Sequence, residues 1–95
     1  MRLKPEIKTF IKETARNLFP DAKIYLFGSR LNDNARGGDI DILLLTNNKI
    51  ETKKIRAFRI SFYKKFGWQK IDLVNFLHNE TSTFKDLILM EAQML

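Results

Sequence analysis

Two short runs of β-forming residues stand on either side of a glycine-marked stretch, and that arrangement narrows the folds open to the chain. Residues 22–27, AKIYLF, are rich in β-branched and aromatic side chains and end at Gly28. Residues 39–45, DIDILLL, directly follow Gly37 and Gly38. Each run reads as a strand. Three of the four glycines fall within residues 28–38, so special backbone geometry is concentrated between the two strands. The second run begins polar and ends apolar on both faces, as a central strand does where it emerges at one end of a sheet.

The flanking segments read as helices and one more strand. Ile7, Phe10, Ile11, Ala15, Leu18 and Phe19 recur at helical spacing, which predicts a helix over residues 5–19. Pro5 suits its first turn, and Pro20 stops it. Residues 46–49 form a turn. Residues 51–66 form a second helix with Ile55, Phe58, Phe62 and Phe66 inward. Lys64, Lys65 and Gly67 mark its end. Residues 70–76, KIDLVNF, are a third strand, and residues 83–95 a last helix with caps among residues 81–83. The order α-β-β-α-β-α predicts an α/β (α+β) fold, a small mixed sheet flanked by helices. A length of 95 residues suits one domain over 1–95 and leaves no room for a separate substrate domain.

Several classes drop out. Apolar residues at 44% and aromatics at 12% are enough for a packed core and exclude a disordered tail. No uncharged apolar run approaches the roughly 20 residues of a membrane span. The absence of cysteine excludes a disulfide scaffold and a thiolate metal site. The opening MRLKPEIKTF lacks the apolar block of a signal peptide. A cytoplasmic protein without membrane contact is the expectation.

The chemistry lies in the acidic and glycine positions. Asp39 and Asp41 are two apart on a predicted strand, so both point to one face. Two carboxylates that close repel each other, and a divalent cation removes the conflict. All-oxygen ligands suit Mg²⁺ or Mn²⁺. A solvent-facing polar strand start is the plainer reading of the bare D-x-D alone. Asp72 sits mid-strand between Ile71 and Leu73, where a lone Asp is disfavoured and a buried one needs a partner or a metal. If the third strand lies beside the second, Asp72 joins the Asp39/Asp41 face; otherwise it is an edge residue facing water. Gly28-Ser29-Arg30, directly after an apolar strand, offers backbone N–H groups, a hydroxyl and a guanidinium to a phosphate. A simple strand-ending turn is the plainer reading of Gly-Ser alone.

Taken together, Gly28-Ser29-Arg30, Asp39-Ile40-Asp41 and the distant strand residue Asp72 resemble the nucleotidyltransferase superfamily typified by DNA polymerase beta. The resemblance is strongest to the minimal nucleotidyltransferases, or MNT proteins, which pair with HEPN-family proteins in toxin–antitoxin modules. It runs from the first helix through the last. It implies that Gly28 and Ser29 cradle nucleotide phosphates and that Arg30 contacts them. It implies that Asp39 and Asp41 are ligands shared by two Mg²⁺ ions, with Mn²⁺ as a substitute. Asp72 becomes a ligand of the catalytic metal and the acceptor of the attacking hydroxyl's proton. The reaction implied is transfer of NMP, with AMP from ATP as the leading case, to a hydroxyl of the HEPN partner, which silences the toxin. Two departures stand out: Gly38 replaces the serine usual before the first Asp, and Asn32-Asp33-Asn34 replaces a Gly/Ala-rich stretch.

Two surfaces remain. Residues 49–65 carry seven lysines and arginines against the single acid Glu51, while the whole chain has a net charge of +6. A solvated helix face is favoured there over a nucleic-acid contact. From Phe84 to Leu95, eight of twelve residues are apolar and do not fit on one helix face. Such a helix is buried or shared with another chain, so the C-terminal helix is the expected contact with the HEPN partner or with a second copy. His78 reads as a surface residue and Trp68 as a core plug. The competing readings are an antitoxin that acts by complex formation alone, and nucleotidyl transfer to a small molecule or an RNA end.

Overall fold

The computed structural model describes residues 3–31, 38–67 and 69–95. The predicted N-terminal helix forms as α1, Pro5–Leu18, with Pro5 in its first turn and Ile7, Ile11 and Ala15 buried. After Phe19 and Pro20 the chain enters β1, Lys23–Phe27, and then a 3-10 turn, Gly28–Leu31. β2 spans Ile40–Thr46, α2 Thr52–Phe66, β3 Ile71–Leu77, α3 Thr83–Glu91 and β4 Gln93–Met94. The sheet order is β3-β2-β1-β4. β2 runs parallel to β3, and β1 is antiparallel to both β2 and β4.

β2 is the central strand, and alternation along it separates two cores. Ile40, Ile42 and Leu44 join Ile11, Ala15, Phe19, Leu26, Phe58, Phe62 and Ile71 beneath α1 and α2. Rings from the two helices interlock there, with the Phe10 centroid 5.4 Å from that of Phe66 and 6.0 Å from that of Phe62. Leu43 and Leu45 point the other way and pack with Ile88 of α3, flanked by Tyr25, Phe27, Val74, Phe76 and Ala92. Burial on both faces is why β2 reads as a continuous apolar run. Two long helices cover one face of the sheet; the nine residues of α3 cover only part of the other. That asymmetry leaves one end of the second face open.

The structure corrects two boundaries that matter. The last helix does not reach Leu95. It ends at Glu91, Ala92 turns extended (φ −60°, ψ 144°), and residues 93–94 pair with Leu26 and Tyr25. The edge of β1 would otherwise present unpaired backbone groups, and the Leu95 N–H also donates to Ile24 O at 2.9 Å. The sheet therefore has four strands rather than three. β2 begins at Ile40, so Asp39 stands just ahead of the strand rather than on it. Ser82 is the cap among residues 81–83, its Oγ accepting from the Lys85 N–H at 3.2 Å. Lys85 itself is buried, and its ammonium donates to the carbonyls of Leu77, His78 and Glu80 at 2.8, 2.8 and 2.9 Å. On α2 the basic side chains are exposed apart from half-buried Arg59. Trp68 and the Asn32-Asp33-Asn34 stretch lie outside the described residues.

Candidate active site

The parallel ladder settles where Asp72 belongs. In the β2–β3 register Asp41 is the partner of Asp72, and on the other side Phe27 of β1 is the partner of Asp41. Residues opposite one another share a face, so Phe27, Asp41 and Asp72 form a row across three strands. Alternation puts that row on the α3 side, at the end which α3 leaves open.

Asp39 reaches the row from outside the strand. Its Oδ2 lies 3.4 Å from Lys70 Nζ, and the same ammonium stands 3.9 Å from Asp72 Oδ2. Burial pushes the Asp41 carboxyl above its ordinary range, and the carboxylates of Asp72 and Asp39 push it the same way, while Lys70 offsets part of the effect. Asp39, then Asp72, hold Lys70 above its own ordinary value. Carboxylate crowding, not a deep apolar pocket, is the character of this place: the side chains of Asp39 and Asp72 remain 45% and 41% exposed.

The glycine loop meets the same carboxylates. Gly28 has φ +77°, and a Cβ there would collide with Asp41 Oδ2 and lie 3.3 Å from its Cγ. Only a residue without a side chain lets the β1 end lie this close to the carboxylate. Ser29 and Arg30 follow in the 3-10 turn. Arg30 Nη2 donates to Gln69 Oε1 at 3.1 Å, and Gln69 Nε2 donates to the carbonyls of Gly38 and Lys70 at 3.4 and 3.3 Å. Gln69 thus ties the turn after β1 to the starts of β2 and β3. The structure brings Gly28, Asp39, Asp41 and Asp72 together and links Arg30 to them through Gln69 and the chain just ahead of β3.

Sequence reasoning missed Gln69 and Lys70. For Lys70 a signal existed: it stands two residues before Asp72, which places it on the carboxylate face of the same chain direction. Gln69 carries no such signal.

The residues fit a divalent cation by their chemistry. The donors are carboxylate oxygens, which suit Mg²⁺ and Mn²⁺, their mutual repulsion favours a cation between them, and Gly28 keeps the approach to Asp41 clear of side-chain atoms. Among the described residues no three Asp, Glu, His or Cys side chains are gathered into a ready-made metal cage; Lys70 stands among the carboxylates. Beside Gly28 an apolar cleft of about 340 Å³ opens between the end of β1 and α3, lined by Phe27, Phe84, Leu87, Ile88, Met90 and Glu91. Another cleft, of about 260 Å³, lies at the opposite end of β2, near Thr46 and Lys49, away from these carboxylates.

α3 is only partly satisfied by its own fold. Ile88 is buried, but Phe84, Leu87 and Met90 are 54%, 59% and 80% exposed. No described helix is long and apolar enough to cross a membrane.

Comparison with known proteins identifies the fold and the family. A mutant MntA-HpeT toxin–antitoxin structure superposes with a TM-score of 0.72 at 18% identity, over 92% of this chain and 70% of that one. A toxin–antitoxin structure with AMP-PNP gives 0.71 at 20% identity, over 92% and 70%. A tri-AMPylated Shewanella oneidensis HEPN toxin in complex with MNT antitoxin gives 0.66 at 19% identity, over 92% and 66%. No curated protein matches the chain significantly. At such identities the structures establish the fold, a polymerase beta-like nucleotidyltransferase fold. The family model for polymerase beta nucleotidyltransferases matches residues 9–95, and its span takes in the glycine turn and all three aspartates. The chain belongs to the polymerase beta nucleotidyltransferase family.

Proposed function

We propose that the chain acts as a single Mg²⁺-dependent nucleotidyltransferase domain over residues 1–95, working in the cytoplasm. It moves AMP from ATP to a hydroxyl group of a HEPN-family partner and thereby silences it as a toxin. The observation that carries this reading is the registered pair Asp41 and Asp72 beneath Gly28, which sets carboxylates against a glycine turn at an open sheet end. Family membership supports nucleotidyl transfer. The AMP-PNP held by one similar structure and the AMPylated HEPN toxin in another support ATP as donor and a HEPN protein as acceptor.

In this mechanism Asp39, Asp41 and Asp72 would hold two Mg²⁺ ions. When bound, the ions supply charge neutralisation on the triphosphate and acidify the acceptor hydroxyl. Gly28 and Ser29 receive phosphate oxygens through backbone N–H groups and the Ser29 hydroxyl, and Arg30 orients a further phosphate oxygen. Asp72 accepts the proton of the attacking hydroxyl. The hydroxyl oxygen bonds to the α-phosphorus as the bond to pyrophosphate breaks. Gain in rate comes from positioning and fixed charge. The exposed apolar residues of α3 form the contact with the partner.

The exposed α3 also favours a second reading, in which complex formation alone neutralises the partner. Incubation with labelled ATP, Mg²⁺ and the HEPN protein separates the two. Label on the partner, reduced about 10²- to 10³-fold by Asp41→Asn, supports transfer. Tight complex formation without label supports the second reading, and full transfer by Asp41→Asn refutes the carboxylate mechanism.

A further inference from the structure

Lys70 is held at the carboxylate site from both ends. Its carbonyl accepts from the Ile40 N–H at 3.1 Å, at the start of the β2–β3 ladder. Its ammonium reaches Asp39 Oδ2 at 3.4 Å and Asp72 Oδ2 at 3.9 Å. One cation therefore bridges two carboxylates that come from different segments of the chain. The backbone bond fixes where the side chain starts, and the side chain itself is 63% exposed. No apolar packing has to be broken for it to swing away.

A Mg²⁺ ion requires its oxygen ligands close around it, at about 2.0–2.1 Å. The oxygens it would take include those that face Lys70. An ammonium left within 4 Å of both would repel a divalent cation seated between them. Lys70 offsets part of the push that the Asp72 and Asp39 carboxylates exert on Asp41.

We propose that Lys70 is the resident counter-cation of this site and that a divalent cation enters by displacing it. The inference rests on the metal-binding reading of Asp39, Asp41 and Asp72. It assigns Lys70 a positioning role. The ammonium keeps the carboxylates together before the metal arrives, and it lowers the affinity of the site for free metal. Displaced, it becomes available to the negative charge that enters with the metal as a metal–triphosphate complex.

The test is Mn²⁺ titration of the full chain without nucleotide, following the free-ion electron paramagnetic resonance signal. The variants are Lys70→Met, Lys70→Gln, Lys70→Arg, Asp41→Asn and Lys54→Met, whose lysine lines the cleft at the opposite end of β2. Displacement predicts that Lys70→Met and Lys70→Gln both bind Mn²⁺ about threefold to tenfold more tightly than the parent, the span carried by one or two exposed ion pairs. Lys70→Arg keeps the parent affinity, and Lys54→Met changes it less than about twofold, because screening leaves a surface charge at the far end of the sheet little influence. If the parent binds Mn²⁺ and loses it with Asp41→Asn, but neither Lys70→Met nor Lys70→Gln binds more tightly, the displacement idea is overturned and the metal site stands. An equal gain from Lys54→Met also overturns it, since net charge alone would then be the cause. If neither the parent nor the Lys70 variants bind Mn²⁺, the metal-binding reading fails and takes this inference with it.

Discussion

Replacing Gly28 by alanine sets a methyl group against the Asp41 carboxylate. The backbone at Gly28 has φ +77°, and a Cβ built there meets Oδ2, Cγ and Cβ of Asp41. Two costs add. A side chain at positive φ costs about 1–2 kcal/mol. Displacing a short, crowded side chain costs about 1–2 kcal/mol more, at the lower end of what overpacking costs. Asp41 has little freedom to turn aside, because Asp72 is its register partner and Asp39 lies near. Gly28→Ala should therefore lose about 2–4 kcal/mol, a sizeable part of the stability of a small domain. The two costs separate in a double-mutant cycle. In the Asp41→Ala background the carboxylate is gone, so the second cost disappears and the first remains. Urea unfolding of the four proteins in EDTA, analysed by linear extrapolation, gives the coupling energy. The expected coupling is about 1–2 kcal/mol. A value below about 0.5 kcal/mol, the scatter of independent sites, would refute the claim that Gly28 is required by its closeness to Asp41.

Three further outcomes follow from the same structure. Asp41 holds its proton more tightly when folded, so ionised Asp41 costs stability at neutral pH, and the cost fades as pH falls through its raised pKa. In metal-free protein Asp41→Asn should raise the urea midpoint at pH 7, with the gap to the parent closing as pH falls toward 3.8; a gap that widens on acidification contradicts the raised pKa. Lys85→Met removes the donor to three carbonyls between Leu77 and Glu80; it should cost about 2–3 kcal/mol and speed amide exchange over residues 78–82, whereas an unchanged midpoint would show that water replaces the lysine freely. Leu87→Glu and Met90→Glu should leave stability within about 0.5 kcal/mol, since both side chains are exposed; gel filtration with the HEPN partner should show the complex lost, and an unchanged elution profile would remove α3 from the interface.

The elements were legible because their signals are local. The Phe58 and Phe62 spacing puts both rings in the core. The apolar run of β2 reads as a strand buried on both faces and proves to be one. Boundaries moved by a residue or so, and the one at Asp39 mattered, since the ladder starts at Ile40 and frees Asp39 to meet Lys70. The C-terminal segment was misread beyond Glu91. Helical spacing cannot report that β1 has an open edge, and a strand of two residues carries almost no pattern of its own. Lys85 escaped notice for a related reason: a lysine near the start of a helix reads as surface, and only the loop after β3 supplies the carbonyls that make its burial tolerable.

The site divides along the same line. Residue types and their spacing along the chain were enough to single out Gly28, Ser29, Arg30, Asp39, Asp41 and Asp72, because each piece lies within a few residues of a strand end. What those pieces do together depended on pairing. A shift of one residue in the β2–β3 register would turn Asp72 to the opposite face, and nothing local to KIDLV selects its partner on β2. The two-sided packing of β2 selects it, with Ile40 and Ile42 beneath α1 and α2 and Leu43 and Leu45 beneath α3. The sequence by itself therefore determined which side chains carry the chemistry. The tertiary structure decided that Asp41 faces Asp72, that Gly28 presses on Asp41, and that Lys70 stands among the carboxylates, because those contacts join segments far apart in the chain and exist only once the sheet is paired and packed.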